Sequence, residues 1–161
     1  MNSDLIDLLR RLDAESVKYL IVGGYAVGFH AEPRYTKDID LWVCTDQDNA
    51  QALYRVLSGF GAPLDGVTVE DFQNTELFYQ MGLPPNRVDV LMGIPGIKFE
   101  EAWANRVEAE VEGTTFRYIS LEDLLAAKKA SGRDQDLRDV QALELSRSIR
   151  DQDNQQADND G

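Results

Sequence analysis

The chain has 161 residues, 43% of them hydrophobic, so we expect a single domain that can bury a core of ordinary size. Its formal net charge is −13, and an acidic surface repels nucleic-acid phosphates at long range. Cys44 and His30 are the only cysteine and histidine, which excludes an intrachain disulfide and a Cys/His zinc site and favours a reducing cytoplasm. The longest apolar stretch, 19–29, is too short to cross a bilayer, so no membrane partner is expected.

The first part of the chain shows three segments with helical periodicity and two with the pattern of buried strands. In chain order these are a helix at 4–14, a strand at 19–22, a short helix at 25–30, a strand at 39–43 and a helix at 46–60. The strand at 19–22 ends at Gly23 and Gly24, which is typical of a strand that enters a sharp turn.

The second part of the chain contains two predicted pairs of strands followed by two helices. The first pair of strands is 77–79 with 87–91, and the second is 106–111 with 115–119. One helix begins after Ser120, and the other, beyond a break at Gly132, spans 134–148. We expect one domain over 1–149. The acidic tail over 150–161 has no aliphatic residue larger than Ala157, so it is predicted to be disordered.

Two carboxylates alternate with apolar residues on the strand at 39–43. Because successive side chains of a strand point to opposite faces, Asp38 and Asp40 project together while Ile39 enters the core. Two negative charges about 6 to 7 Å apart are unfavourable without a cation between them, and Mg²⁺ is the usual oxygen-seeking candidate. Asp89 lies in a similar apolar strand and supplies the carboxylate that a second metal or a general base would need.

The pair Gly23-Gly24 connects a strand to a helix, where backbone amides and the helix N-terminus can approach a triphosphate. A Gly-Gly pair alone is usually a turn, and an Asp-x-Asp alone is more often a solvated strand edge. Together with Asp89, these two features favour a site for a metal ion and a nucleotide phosphate.

Three segments, in this order and spacing, resemble the signature of the DNA polymerase β-like nucleotidyltransferase superfamily. They are Val22-Gly23-Gly24, then after thirteen residues Asp38-Ile39-Asp40-Leu41, and finally Val88-Asp89-Val90. Two further patterns resemble small bacterial proteins related to AbiEii-type toxins. These are the R-x-T-x-D-I-D run Arg34-Tyr35-Thr36-Lys37-Asp38-Ile39-Asp40 and the downstream set Lys128, Gly132, Arg133, Asp136 and Asp139. The resemblance covers about 16–145.

This resemblance implies roles for individual residues. The implied metal ligands for Mg²⁺ (or Mn²⁺) are Asp38, Asp40 and Asp89, and the implied catalytic set is these three with Lys128. The implied nucleotide-binding residues are Gly23, Gly24, Arg34, Lys37, Arg133 and Asp139. Simpler interpretations stay open: a solvated helix face for Lys128 and Lys129, structural ion pairing for Arg133, Asp136 and Asp139, and charge compensation for Arg34 and Lys37.

The implied fold is α/β (α+β), a mixed sheet flanked by helices with two C-terminal helices closing the cleft. The implied activity is Mg²⁺-dependent transfer of a nucleoside monophosphate from an NTP to RNA, such as a tRNA 3′ end, or to a protein. A toxin–antitoxin or phage-defence system, with a cognate toxin or antitoxin partner, is the implied context. The alternatives are a non-catalytic antitoxin-like binding protein on the same fold and a nucleotidyltransferase acting on a small molecule such as an antibiotic.

Overall fold

The structure is a computed structural model that describes residues 3–33, 36, 38–84 and 86–160. Within these residues it has a six-stranded mixed sheet and six α-helices, so the predicted α/β class is confirmed. The strands are β1 (Tyr19–Val22), β2 (Asp38–Val43), β3 (Phe78–Met81), β4 (Arg87–Leu91), β5 (Val107–Val111) and β6 (Thr114–Tyr118). The helices are α1 (Ser3–Ala14), α2 (Gly23–His30), α3 (Gln47–Phe60), α4 (Phe99–Ala104), α5 (Leu121–Ser131) and α6 (Asp134–Asn159).

The order of strands in the sheet is β3-β4-β2-β1-β6-β5. β2 lies between β1, to which it is antiparallel, and β4, to which it is parallel. In this register Asp40 lies opposite Val22 on one side and opposite Asp89 on the other. Contacts between segments distant in sequence therefore bring the glycine turn and the acidic residues to one region of the sheet.

The two faces of the sheet differ, as the alternation along β2 predicts. Ile39 and Val88 face a cavity bordered by Leu5 and Leu8 of α1, and all four of these side chains are buried. Asp40 faces a different cavity, which α5 and the start of α6 border. One face thus belongs to the hydrophobic core, and the other carries the acidic residues beneath the two C-terminal helices.

Local signals set the ends of the longer helices. The side chain of Asp46 accepts a hydrogen bond from the amide of Asn49 at the start of α3, and Ser120 does the same for Asp123 at the start of α5. Gly61 and Gly132 follow these helices with φ of 92° and 67°, a backbone region that favours glycine.

The C-terminal end differs from the sequence-based expectation. The segment from 150 onward was predicted to be disordered, but α6 continues to Asn159, with exposed side chains throughout this extension. The segment 134–160 contains neither proline nor glycine, so nothing interrupts a helix that the packed first half of α6 has already started. Among the described residues, no helix is long and apolar enough to cross a membrane.

Candidate active site

Three carboxylates lie together where β2 and β4 run side by side. Asp40 and Asp89 are direct partners across the two parallel strands, and Asp38 lies opposite Arg87. Asp89 is 8% exposed, and Asp38 and Asp40 are partly buried. Neighbouring strands are about 4.8 Å apart, so the parallel register holds like charges close together.

Sequence reasoning missed Arg87, which lies among these acidic residues. Its Nη2 donates a hydrogen bond of 2.5 Å to Asp38 Oδ2, and its Nε lies 3.5 Å from Asp89 Oδ1. A signal was present, because Arg87 precedes Asp89 by two residues and a strand places such residues on one face. The contact with Asp38, 49 residues away in sequence, depends on strand register and was not visible in the local pattern.

The environment of Asp40 favours its neutral form. Burial is the largest cause, followed by the nearby Asp89 carboxylate, and together they raise the pKa of Asp40 to about 7. The charge of Asp38 acts in the same direction, and the ammonium group of Lys128 opposes it. Among the described residues, the nearby cations therefore do not fully offset the acidic neighbours of Asp40.

The glycine turn is shaped around Asp40. Gly23 has φ of +66°, and a Cβ atom added there would overlap Asp40 Oδ2 and lie 2.9 Å from its Cγ. A side chain at this position would thus meet both backbone strain and the carboxylate. Gly24 follows in the first turn of α2 and lines the same cavity as Asp40.

Lys128 of α5 lies on the opposite wall of the cavity and is not on a solvated helix face. Its side chain is only 13% exposed, and its Nζ lies 3.3 Å from Asp136 Oδ1 and 3.0 Å from Asp139 Oδ2. Both aspartates belong to α6 and are almost fully buried. Lys129 points elsewhere, to an exposed ion pair with Glu144 at 2.9 Å.

Three further C-terminal residues line the cavity and also form hydrogen bonds or ion pairs with one another or with Asp139: Arg133, Gln135 and Asp136. The Nε of Arg133 donates a 2.8 Å hydrogen bond to Asp136, yet the Arg133 side chain remains 80% exposed. Gln135 donates to the second carboxylate oxygen of Asp139 at 3.0 Å. Asp136 has its pKa lowered to about 2: burial would raise it, but hydrogen bonds from Arg133, Ser131 and Lys128 and the charge of Lys128 outweigh that effect.

A cavity of about 360 Å³ joins these groups. Gly23, Gly24, Asp40, Lys128, Arg133 and Asp139 all line it. The predicted residues Arg34 and Lys37 lie outside the described residues. The two helices predicted to close the cleft, α5 and α6, do border it.

The carboxylates have the chemistry that a divalent cation requires. The described part of the chain holds no group of three or more His, Cys, Asp or Glu side chains already placed to bind one metal ion. However, Asp38 Oδ1 and Asp89 Oδ1 are buried and have no hydrogen-bond partner among the residues that the structure describes. Buried carboxylate oxygens of this kind, beside Asp40, are the ligand type that Mg²⁺ and Mn²⁺ prefer, so these residues fit such an ion.

Solved structures with the same fold come from several nucleotidyltransferases. A protein of Thermotoga maritima described as a nucleotidyltransferase (TM1012) superposes with a TM-score of 0.53 at 20% identity, covering 98% of this chain and 91% of that one. The lincosamide antibiotic adenylyltransferase LnuA gives 0.55 at 16% identity, with 89% and 96% covered. The antibiotic-resistance factor ANT(2'')-Ia gives 0.56 at 15% identity, with 92% and 85% covered.

Sequence comparison gives a family assignment. No curated protein matches the chain significantly. The profile of a family described as "Nucleotidyltransferase of unknown function (DUF6036)" matches residues 3–153, nearly the whole chain. The glycine turn, the facing acidic residues and this match agree, and the chain therefore belongs to this family and is an enzyme of the nucleotidyltransferase class.

Proposed function

We propose that this enzyme transfers a nucleoside monophosphate from an NTP to a hydroxyl group of an acceptor, with the assistance of Mg²⁺ (or Mn²⁺). The observation that carries the proposal is the direct opposition of Asp40 and Asp89 on neighbouring strands, with Asp40 lining a cavity that Gly23 and Lys128 also border. Asp38, Asp40 and Asp89 would hold the metal, which when bound neutralises charge on the triphosphate.

Other residues of the chain would bind and orient the nucleotide. Gly23 and Gly24 let the triphosphate approach the backbone, and the N-terminus of α2 favours its negative charge. Lys128, held by Asp136 and Asp139, presents a fixed ammonium group to the phosphates. Arg133 has an exposed side chain at the cavity mouth and can contact the nucleotide without leaving Asp136.

In the transfer step, the acceptor oxygen forms a bond to the α-phosphorus of the NTP. The bond from that phosphorus to the oxygen bridging to the β-phosphate breaks, and pyrophosphate leaves. Asp89 takes the proton of the acceptor hydroxyl. Such a reaction depends mainly on positioning and charge stabilisation, which a rigid strand pair and the largely buried Lys128 supply.

A small hydroxyl compound, neutral or cationic, is the acceptor class that we favour. The net charge of −13 opposes the approach of polyanionic RNA. Two neighbours of the same fold also support it: LnuA is described with lincomycin bound, and ANT(2'')-Ia in complex with adenylyl-2''-tobramycin. The second candidate is RNA or protein in a toxin–antitoxin context in the cytoplasm, supported by the R-x-T-x-D-I-D resemblance over 34–40.

The test supplies each α-labelled NTP with Mg²⁺ to four acceptor sets: lincosamides, aminoglycosides, total tRNA and lysate proteins. We expect label transfer with pyrophosphate release, and a loss of at least about 100-fold in Asp40→Asn. The matched control is Asp48→Asn, at an exposed residue of α3, which should retain full activity. Absence of transfer to every acceptor, or equal activity of the two variants, would contradict the proposal.

A further inference from the structure

We propose that Arg87 is a built-in counter-cation, which holds Asp38 and Asp89 when no metal is bound and gives way to the divalent ion. The inference rests on the proposed function, because it assumes that these carboxylates bind the metal. It concerns a residue outside the glycine and aspartate motifs described above.

The position of Arg87 is the first support. It begins β4, lies directly opposite Asp38 in the register, and shares its strand face with Asp89. Its guanidinium donates to Asp38 and forms an ion pair with Asp89 at 3.5 Å. One positive group therefore contacts two of the three acidic residues to which the metal is assigned.

Incomplete hydrogen bonding in this cluster is the second support. Within the described part of the chain, Asp38 Oδ1, Asp89 Oδ1 and Arg87 Nε are all buried and have no hydrogen-bond partner. The 3.5 Å ion pair with Asp89 is electrostatic and too long for a good hydrogen bond. The arginine thus compensates charge but leaves two carboxylate oxygens without a hydrogen bond from the described residues, and a compact divalent ion could bind them directly.

Space for the displaced side chain is the third support. Arg87 also borders a second cavity of about 240 Å³, which lies against the core face of the sheet beside Gly82 and Asn86. The Arg87 side chain is 34% exposed. Because its side chain is partly exposed, the guanidinium has solvent-accessible space beside Asp38 into which it can turn.

Because Arg87 and the divalent ion compete for the same carboxylates, we expect the metal to bind more tightly when an NTP is present. Without an NTP, the ion must displace Arg87 using only carboxylates and water. With an NTP, phosphate oxygens add ligands for the ion and a new anionic partner for the released arginine. A purely structural ion pair would stabilise the fold without opposing the metal.

The test is titration of Mn²⁺ into the full chain without nucleotide, followed by the EPR signal of free Mn²⁺. We expect Arg87→Gln and Arg87→Ala to bind Mn²⁺ at least about fivefold more tightly than the unchanged protein, at the low end of typical coupling. Arg87→Lys keeps the charge and should stay within about twofold of it. Thermal melts verify that each variant is folded, and Gln preserves more of the side chain than Ala does.

Two matched controls distinguish direct competition between Arg87 and the metal ion from the general effect of removing one positive charge. Arg106→Gln removes an arginine that pairs with Glu108 two residues along, far from the cavity, and should leave Mn²⁺ affinity unchanged. Arg133→Gln removes a cation that interacts electrostatically with Asp40 but pairs with Asp136 and not with Asp38. Equal tightening in Arg133→Gln and Arg87→Gln would show a long-range charge effect and overturn the inference.

The remaining outcomes distinguish this inference from the proposed function. Mn²⁺ binding that Asp40→Asn abolishes but Arg87→Gln leaves unchanged or weakens would overturn the role of Arg87 alone. Mn²⁺ binding by neither the unchanged protein nor Arg87→Gln would overturn both proposals. Tightening in Arg87→Gln that is lost when Asp40→Asn is added would support both.

Discussion

Asp40 occupies the space that a side chain at position 23 would need, so Gly23 is open to a direct test. We expect Gly23→Ala to displace the Asp40 carboxylate and reduce transfer by at least about 100-fold. The positive φ adds roughly 1 to 2 kcal/mol of destabilisation. Steady-state kinetics and urea unfolding measure the two effects.

Gly66→Ala is the matched control for this prediction. Gly66 has φ of +75°, but a Cβ atom there would meet no atom of the described residues within 4 Å. This variant should show similar backbone strain and unchanged activity. If it loses as much activity as Gly23→Ala, strain is the cause and contact with Asp40 is not.

Lys128 gives a second prediction for a single residue. Lys128→Met keeps much of the side-chain volume but leaves Asp136 and Asp139 without their shared cation. We expect the free energy of unfolding to fall by about 3 kcal/mol, as when one partner of a buried pair is removed. Turnover of the folded fraction should fall roughly 100- to 1,000-fold.

Lys129→Met is the matched control for Lys128→Met, because it makes the same substitution and removes the same charge at the next residue. Lys129 forms an exposed ion pair with Glu144, so its loss should change stability by at most about 0.5 kcal/mol. Similar losses of turnover in the two variants would point to general surface charge and against a positioned cation at Lys128.

At the scale of elements, the junction between α5 and α6 should be sensitive to acid. The pKa of Asp136 is about 2 in the folded protein against 3.8 as its ordinary value, so the ionised form stabilises the fold. This contribution, about 2 kcal/mol, is complete above about pH 5 and is lost as the pH falls toward 2. The stability gap between the unchanged protein and Asp136→Asn should therefore narrow over that range.

Urea unfolding at pH 6, 4 and 3 measures this gap, with Asp48→Asn as the exposed control. A gap that stays constant from pH 6 to 3 would show that Asp136 acts through packing alone. The control should differ little from the unchanged protein at each pH.

The second half of α6 gives the other prediction at this scale. Deletion of 151–161 should change the free energy of unfolding by no more than about 0.5 kcal/mol, because the side chains over 151–160 are exposed. Arg150 is kept, since its guanidinium donates to the carbonyl oxygen of His30 at 2.8 Å. Far-UV circular dichroism should show the loss of the helix at the C-terminal end of α6. An unchanged helical signal would contradict the helical form of this segment.

At the scale of the whole molecule, the net charge of −13 predicts that the enzyme has little affinity for a polyanion such as RNA. Such a surface releases few counterions from RNA, so binding of an unrelated single strand should not strengthen when salt is lowered. Fluorescence anisotropy without metal should show no binding at about 10 µM protein, within the range of typical non-specific affinities. Affinity that rises steeply as salt falls would instead reveal a basic RNA-binding surface.

Much of this fold was predictable because its signals are local. The alternation of Asp38 and Asp40 with apolar residues, the glycine pair after an apolar strand and the cap at Ser120 each depend on residues within a few positions. The sequence could thus locate the strands, the hairpins and the face that bears the acidic residues. The resemblance to AbiEii-type toxins and the roles of the individual site residues stay predictions.

Tertiary structure decided which distant groups meet. The register of β2 with β4 sets Asp40 against Asp89 and Arg87 against Asp38, and the packing of α5 on α6 buries Lys128 between two aspartates. Periodicity shows which face of an element a residue occupies, but it does not show which residue of another element lies opposite. The sequence by itself therefore determined most of the elements and the acidic face, but neither α4 nor the length of α6. Pairing between distant elements fixed which charged groups meet in the site.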